Sequence, residues 1–381
     1  MMTVAECYRR IALFQKADFV PHFDGLPGRV TRERWHAEGL PKGVSPAEFF
    51  GFDSRWLMRG IDFGPIPGLP PPREEDMPMT RYGLAWRDRW GRIAVWHQET
   101  DPEYAESGHV VLEGALQERA DWERIRNDFQ PDLDARYPDD WDEIVAKYRR
   151  DDVVKVLEAP SMVGGLRMEL GFENYCVKLH EDRAVIEEIM DARVDLALQL
   201  LDKAADEIEF DMLWFWEDCA YRAGPIITPS IFEEICVPRY RRLADWWRGR
   251  GGEIVAVDSD GDVRTLIPGW LEGGINHIWP LEVFAGMDVV ALREQYGRAF
   301  SMWGGVDKHV IPRGRDAIVR ELERVAPVVE DGGYIPALDH QVPDCHFEDY
   351  CFYQEKKKEI LGIPNRHERE GGRCPSPAPP T

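Results

Sequence analysis

Met212-Leu213-Trp214-Phe215-Trp216-Glu217-Asp218 carries five apolar residues in a row and then two carboxylates. A continuous apolar run of that length reads as a strand buried on both faces, the pattern of a parallel sheet covered by helices. The same grammar returns downstream. Ile254-Val255-Ala256-Val257 is followed by Asp258, Asp260 and Asp262, and His277-Ile278-Trp279-Pro280-Leu281 by Glu282. Further β-branched or aromatic runs fall at 153–157, 300–303 and 334–337, the last two leading into Gly304-Gly305-Val306-Asp307 and Leu338-Asp339-His340. Helical stretches lie between them: 182–206 has apolar residues at helical spacing, Thr228-Pro229-Ser230 opens a helix with a cap and a first-turn proline, and 287–296 supplies a third. This alternation predicts parallel strands joined by helices. With six such runs, no nucleotide-binding fingerprint and no fixed-length repeat, the expected fold is α/β, a (β/α)8 TIM barrel.

Outward from that core, residues 86–96 read as two aromatic strands about a tight turn, a β-hairpin appended to the barrel together with an N-terminal extension. The proline-dense, acidic stretch 65–78 reads as a loop or lid. Residues 366–381, rich in Pro, Gly and charge, read as a disordered tail, which leaves one domain over 1–365. The chain has 381 residues, 44% hydrophobic and 31% charged, enough for a large core. Its longest apolar runs fall far short of the roughly 20 residues of a membrane span, and its first residues lack a secretory pattern, so a cytoplasmic protein is expected. A formal charge of −23 argues against nucleic acid and anionic membranes as partners. Seven scattered cysteines without a C-x-x-C pair argue against a disulfide framework or zinc knuckle.

Chemistry in a parallel barrel gathers at the C-terminal strand ends, and five consecutive ends here deliver carboxylates. Each could cap the helix that follows, and Asp262 suits that role best. Taken together they repel one another unless offset, which marks a site. Glu217, Asp218 and His340 are the catalytic candidates, with Asp339 beside His340 to fix its tautomer or favour its protonated form. Trp216, Asp258, Asp260, Glu282 and Asp307 are the substrate-binding candidates, Trp216 as an aromatic wall sharing a strand face with Trp214 while Phe215 points the other way. Such a wall beside carboxylates suits a sugar-like, aromatic-ether or quaternary-ammonium ligand. Asp258-x-Asp260-x-Asp262 is no calcium loop, because Val263 and Gly269 stand where that loop requires Gly and Glu.

Several blocks in series resemble the uroporphyrinogen decarboxylase superfamily: 227–234, 238–243, Val257-Asp258-Ser259-Asp260-Gly261-Asp262, Pro280-Leu281-Glu282, Gly304-Gly305-Val306-Asp307-Lys308 and Gly333-Tyr334-Ile335-Pro336. The resemblance covers about 153–362 and implies a (β/α)8 barrel. It also implies one of two chemistries, cofactor-free decarboxylation or zinc-assisted methyl transfer between a corrinoid and a thiol, with related demethylases. His340 falls where the decarboxylases place a histidine, and Asp62 near their acid. Two departures matter. The stretch 19–25 lacks the arginine-rich motif that grips porphyrinogen carboxylates, and Asp258-Ser259-Asp260 replaces the His-x-Cys of the thiol methyltransferases. The favoured expectation is therefore methyl transfer or demethylation of a small molecule linked to a corrinoid protein. A decarboxylase and a non-catalytic substrate-binding subunit are the alternatives. A homodimer is among the expected assemblies. A divalent metal such as Zn²⁺, if bound, would meet mainly oxygen from Asp258 and Asp260 with His340 as at most one nitrogen; direct binding of substrate hydroxyls or an ammonium group by the carboxylates is the competing expectation.

Overall fold

A computed structural model describes residues 2–58, 60–64, 79–80, 83–87, 92–96 and 109–365. The expected loop at 65–78, the hairpin's turn and the expected tail at 366–381 lie outside them. The strands, in chain order, begin with β1 (Arg55–Met58), β2 (Met79–Thr80), β3 (Gly83–Leu84), β4 (Trp86–Arg87), β5 (Ile93–Trp96) and β6 (His109–Glu113). They continue with β7 (Val154–Ala159), β8 (Met212–Trp216), β9 (Ala220–Tyr221), β10 (Gly224–Pro225) and β11 (Ile254–Asp258). The last are β12 (His277–Trp279), β13 (Ser301–Val306) and β14 (Tyr334–Leu338).

Seven of these form one sheet in the order β1-β7-β8-β11-β12-β13-β14. The pairs β7–β8, β8–β11, β11–β12 and β13–β14 run parallel, as the unbroken apolar runs require. The order has two ends, so the expected closed ring of eight strands is corrected, among the described residues, to seven strands in barrel order. Between β1 and β7 in sequence the chain makes separate antiparallel pairs, β2 with β3, β4 with β5 and β5 with β6. The expected hairpin is thus present, and β6 extends it by a strand that the sequence reading did not include.

By its internal packing the chain divides into two compact units. One comprises Met1–Arg55, Asp152–Val154 and Asp288–Thr381, the other Trp56–Asp151 and Lys155–Met287. In the second unit, Trp214 stacks on Trp279 with ring centroids 6.1 Å apart, while Phe215 meets Tyr240 of helix Val237–Gly249 edge-on at 5.2 Å. The two faces of β8 therefore serve different layers, as alternation along a strand dictates. Thr228 caps helix Pro229–Ile235 by accepting from the Ile231 N–H, and helix Arg183–Glu207 runs nearly where its spacing placed it.

The first unit is held by a polar knot as well as by apolar packing. Asp24 and Lys357 are both fully buried, and the Lys357 Nζ donates to Asp24 Oδ2 at 2.8 Å and to the Phe23 carbonyl at 2.7 Å. Asp24 also accepts from the Leu338 N–H and from Gln354 Nε2, whose carbonyl oxygen faces His22 Nε2 at 2.8 Å. These bonds tie the 22–25 segment to the end of β14 and to helix Phe347–Leu361. No helix among the described residues is long and apolar enough to cross a membrane.

Candidate functional site at the strand ends

Register brings three ends of the second unit level: Asp258 pairs with Trp216 on one side and Trp279 on the other. Just beyond, the Glu217 N–H donates to the Asp258 carbonyl at 2.8 Å. The Glu217 side chain has no exposure at all. Its Oε1 accepts from the Met162 N–H at 2.7 Å, and its Oε2 accepts from Val163 at 2.7 Å and Gly164 at 3.2 Å. Burial pushes its carboxyl above the usual carboxylate range, and these donors pull the other way. Gly164 must be glycine here, because an added Cβ would lie 2.5 Å from the Glu217 carbonyl and 2.8 Å from that of Trp216. Glu217 thus locks the start of helix Gly164–Leu170 onto the end of β8.

That helix carries Arg167, which the sequence reading missed. Its Nη2 stands 3.6 Å from Asp218 Oδ2, and its guanidinium carbon lies 5.8 Å from the Trp216 ring centroid. Asp218 has a φ of +38°, in the left-handed region that a non-glycine residue occupies at a cost, and its Oδ1 accepts from the Asp260 N–H at 3.5 Å. Glu282 reaches back across the loop after β11 to accept from the Gly261 N–H at 2.9 Å. Gly261, with φ of +85°, has no room for a Cβ, which would meet Ala220 backbone at 2.6 Å. Asp262, expected as a helix cap, instead pairs with Arg264 at 2.6 and 2.8 Å, which holds its carboxyl below the usual range. Trp216, Asp218, Asp258, Asp260 and Glu282 are each half-buried.

Asp62, in the same unit, closes its own turn by accepting from the Gly64 N–H at 2.8 Å. Its carbonyl and that of Gly64 receive Nη1 of the buried Arg136, at 2.7 Å each. In the first unit, Asp307 follows β13 and accepts from the His309 N–H and Nδ1 at 2.9 and 3.0 Å, with Arg313 at 3.5 Å. Asp339 follows β14, fully buried, and accepts from the Lys308 N–H at 3.2 Å. His340 comes next and is half-buried. Its carbonyl is packed so closely on Gly25 that a Cβ there would lie 2.5 Å away.

Among the described residues no three His, Cys, Asp or Glu side chains are grouped to hold a metal ion. The set expected from Asp258, Asp260 and His340 is not among such groups; Asp258 has Trp216 and Trp279 as its register neighbours, and His340 belongs to the other unit. The zinc of the thiol methyltransferases does not fit this donor set either, since the block that would hold it offers no sulfur.

No protein-family profile and no curated protein sequence matches the chain. Its fold is similar to that of a solved methyltransferase. That protein, a methyltransferase from Methanosarcina mazei, superposes with a TM-score of 0.58 over 94% of this chain and 99% of its own, at 13% sequence identity. At so low an identity the methyltransferase shares the fold, and each side chain at the strand ends has to be argued on its own geometry.

Of the candidate residues, Trp216, Glu217, Asp218, Asp258, Asp260 and Glu282 come together at the ends of β8, β11 and β12. Arg167 lies inside the helix after β7 and not at the strand end itself, so the pattern that marked the acids did not mark it.

Proposed function

We propose that this chain is a methyl-transfer enzyme related to the uroporphyrinogen decarboxylase superfamily, working on a small methyl-bearing molecule. The observation that carries the reading is the likeness in fold, over nearly the full length of both chains, to a methyltransferase. In this reading the substrate lies at the ends of β8, β11 and β12, flat against Trp216. A corrinoid, supplied by a partner protein, would receive the methyl group.

The chain's own residues then have three tasks. Trp216 orients the substrate. Asp218, Asp258 and Asp260 hold the proton that the heteroatom needs when its bond to the methyl carbon breaks and the electron pair stays behind. Glu217, closed off from solvent, positions the helix that carries Arg167 and does not itself meet substrate.

The test is methyl transfer from small methyl ethers to added cob(I)alamin, followed by the cobalamin absorption spectrum. Methylation by the wild type, with Asp218→Asn slower by about 100-fold or more, is the expected result. Absence of transfer to free or protein-bound corrinoid would refute the reading. Release of carbon dioxide from a carboxylated compound without any partner would put decarboxylation in its place.

A further inference from the structure

The acidity of these strand ends is less than the sequence suggests, because their carboxylates are largely occupied by the chain's own donors. Glu217 takes three backbone N–H groups, Glu282 takes one from Gly261, and Asp262 is paired with Arg264. Asp218 takes the Asp260 N–H. Arg167 is the opposite case. Its side chain is 17% exposed, and among the described residues its buried Nε has no hydrogen-bond partner and its one ionic contact is the 3.6 Å approach of Nη2 to Asp218. A guanidinium presents five N–H donors in a fixed planar fork, and a sequestered donor without an acceptor is costly to a folded protein. Arg167 nevertheless sits on a helix whose start Glu217 clamps in place, with the Trp216 ring alongside. The arrangement keeps a cation ready beside an aromatic wall, where a planar anion could take two of its donors at once.

We infer that Arg167 is a specificity-determining residue that receives a carboxylate of the substrate, so that the substrate class is a small methyl-bearing carboxylic acid. The inference deepens the methyl-transfer reading and rests on its placing of the substrate at these strand ends. Asp218 has a matching part. Its long contact holds the guanidinium in place without saturating it. Trp216 adds a flat face against which an unsaturated or compact acid packs.

Binding is tested first, with benzoate and its neutral isostere benzamide as probes, by ligand-observed saturation-transfer NMR on the purified full chain without corrinoid. Wild type should bind benzoate more tightly than benzamide, and Arg167→Gln should weaken benzoate by about 10- to 100-fold while leaving benzamide unchanged. Arg167→Lys, which keeps the charge and loses the fork, should fall between and serves as the readout if the Gln variant fails to fold by circular dichroism. Equal binding of the two probes by wild type, or benzoate affinity unchanged in either variant, overturns the inference. A second arm compares methoxyacetate with methoxyacetamide as methyl donors to cob(I)alamin. Transfer from both at equal rates in wild type and Arg167→Gln sinks the carboxylate assignment and leaves methyl transfer standing. Arg167-dependent benzoate binding with no transfer from any donor does the reverse.

Discussion

Glu217 faces three backbone N–H donors with two oxygens, and only a carboxylate can accept on both sides. An amide in its place would turn an NH₂ toward at least one of those donors. Glu217→Gln is therefore expected to lower stability by about 1–3 kcal/mol, the usual cost of stranding a buried donor, as read by chemical denaturation. It should also weaken benzoate binding, because the helix bearing Arg167 loses its clamp. A residue acting only as a proton donor would behave differently, losing turnover at unchanged stability. Unchanged stability in Glu217→Gln would return this carboxylate to the catalytic role that its position after β8 suggested. The distinction could not be drawn from sequence, where Glu217 and Asp218 look alike. One residue of chain turns Glu217 inward onto amides and leaves Asp218 partly open beside Arg167, and backbone donors have no signature in a string of side chains.

Among the elements, helix Phe347–Leu361 shows how a buried polar face can titrate. His22 donates from Nε2 to Gln354 and lies near Lys357, Lys358 and Asp24. Burial, then the two lysines, lower its pKa from 6.5 to about 3, against the weaker opposing pull of Gln354 and Asp24. A folded pKa below the unfolded one means that the unfolded chain takes up the proton first. The stability due to neutral His22 is present above pH 6.5 and drains as pH falls toward 3. From pH 8 to pH 5 the loss should come to about 2 kcal/mol, and it should vanish from the difference in His22→Gln, measured by denaturation at the two pH values. Equal slopes for the two proteins would show that His22 is protonated in the folded state.

The strands themselves were legible because parallel strands announce themselves by unbroken apolar runs, and 212–216 matches β8 to the residue. Segments whose identity comes from pairing were not. β1 has only Trp56, Leu57 and Met58 to mark it, and β6 is defined by its register with β5. The Asp24–Lys357 pair was equally hidden, since 333 residues separate two side chains that look like surface charges until both are seen fully buried.

At the scale of the whole molecule, the unit that contains β13 and β14 is assembled from both ends of the chain, Met1–Arg55 with Asp288–Thr381. The seam between those ends is specific. Asp24 meets Lys357, Gln354 and the Leu338 N–H, and Pro27 bridges to Val342. Removing residues 1–27 would take from the Lys357 ammonium both the Asp24 carboxylate and the Phe23 carbonyl, and would orphan the Leu338 and Gln354 donors as well. Loss of one partner of a buried ion pair costs about 3–5 kcal/mol, a large share of what an ordinary domain has in reserve. The truncated chain is therefore expected to lose the packing of helix Phe347–Leu361, seen as loss of slow amide hydrogen exchange along that helix, which the full chain should protect. Adding Lys357→Met to the truncation should restore part of the protection, because an apolar side chain needs no counter-charge there. Full protection in the truncated chain would show that Asp24 and its neighbours merely decorate a unit that the C-terminal segment builds alone.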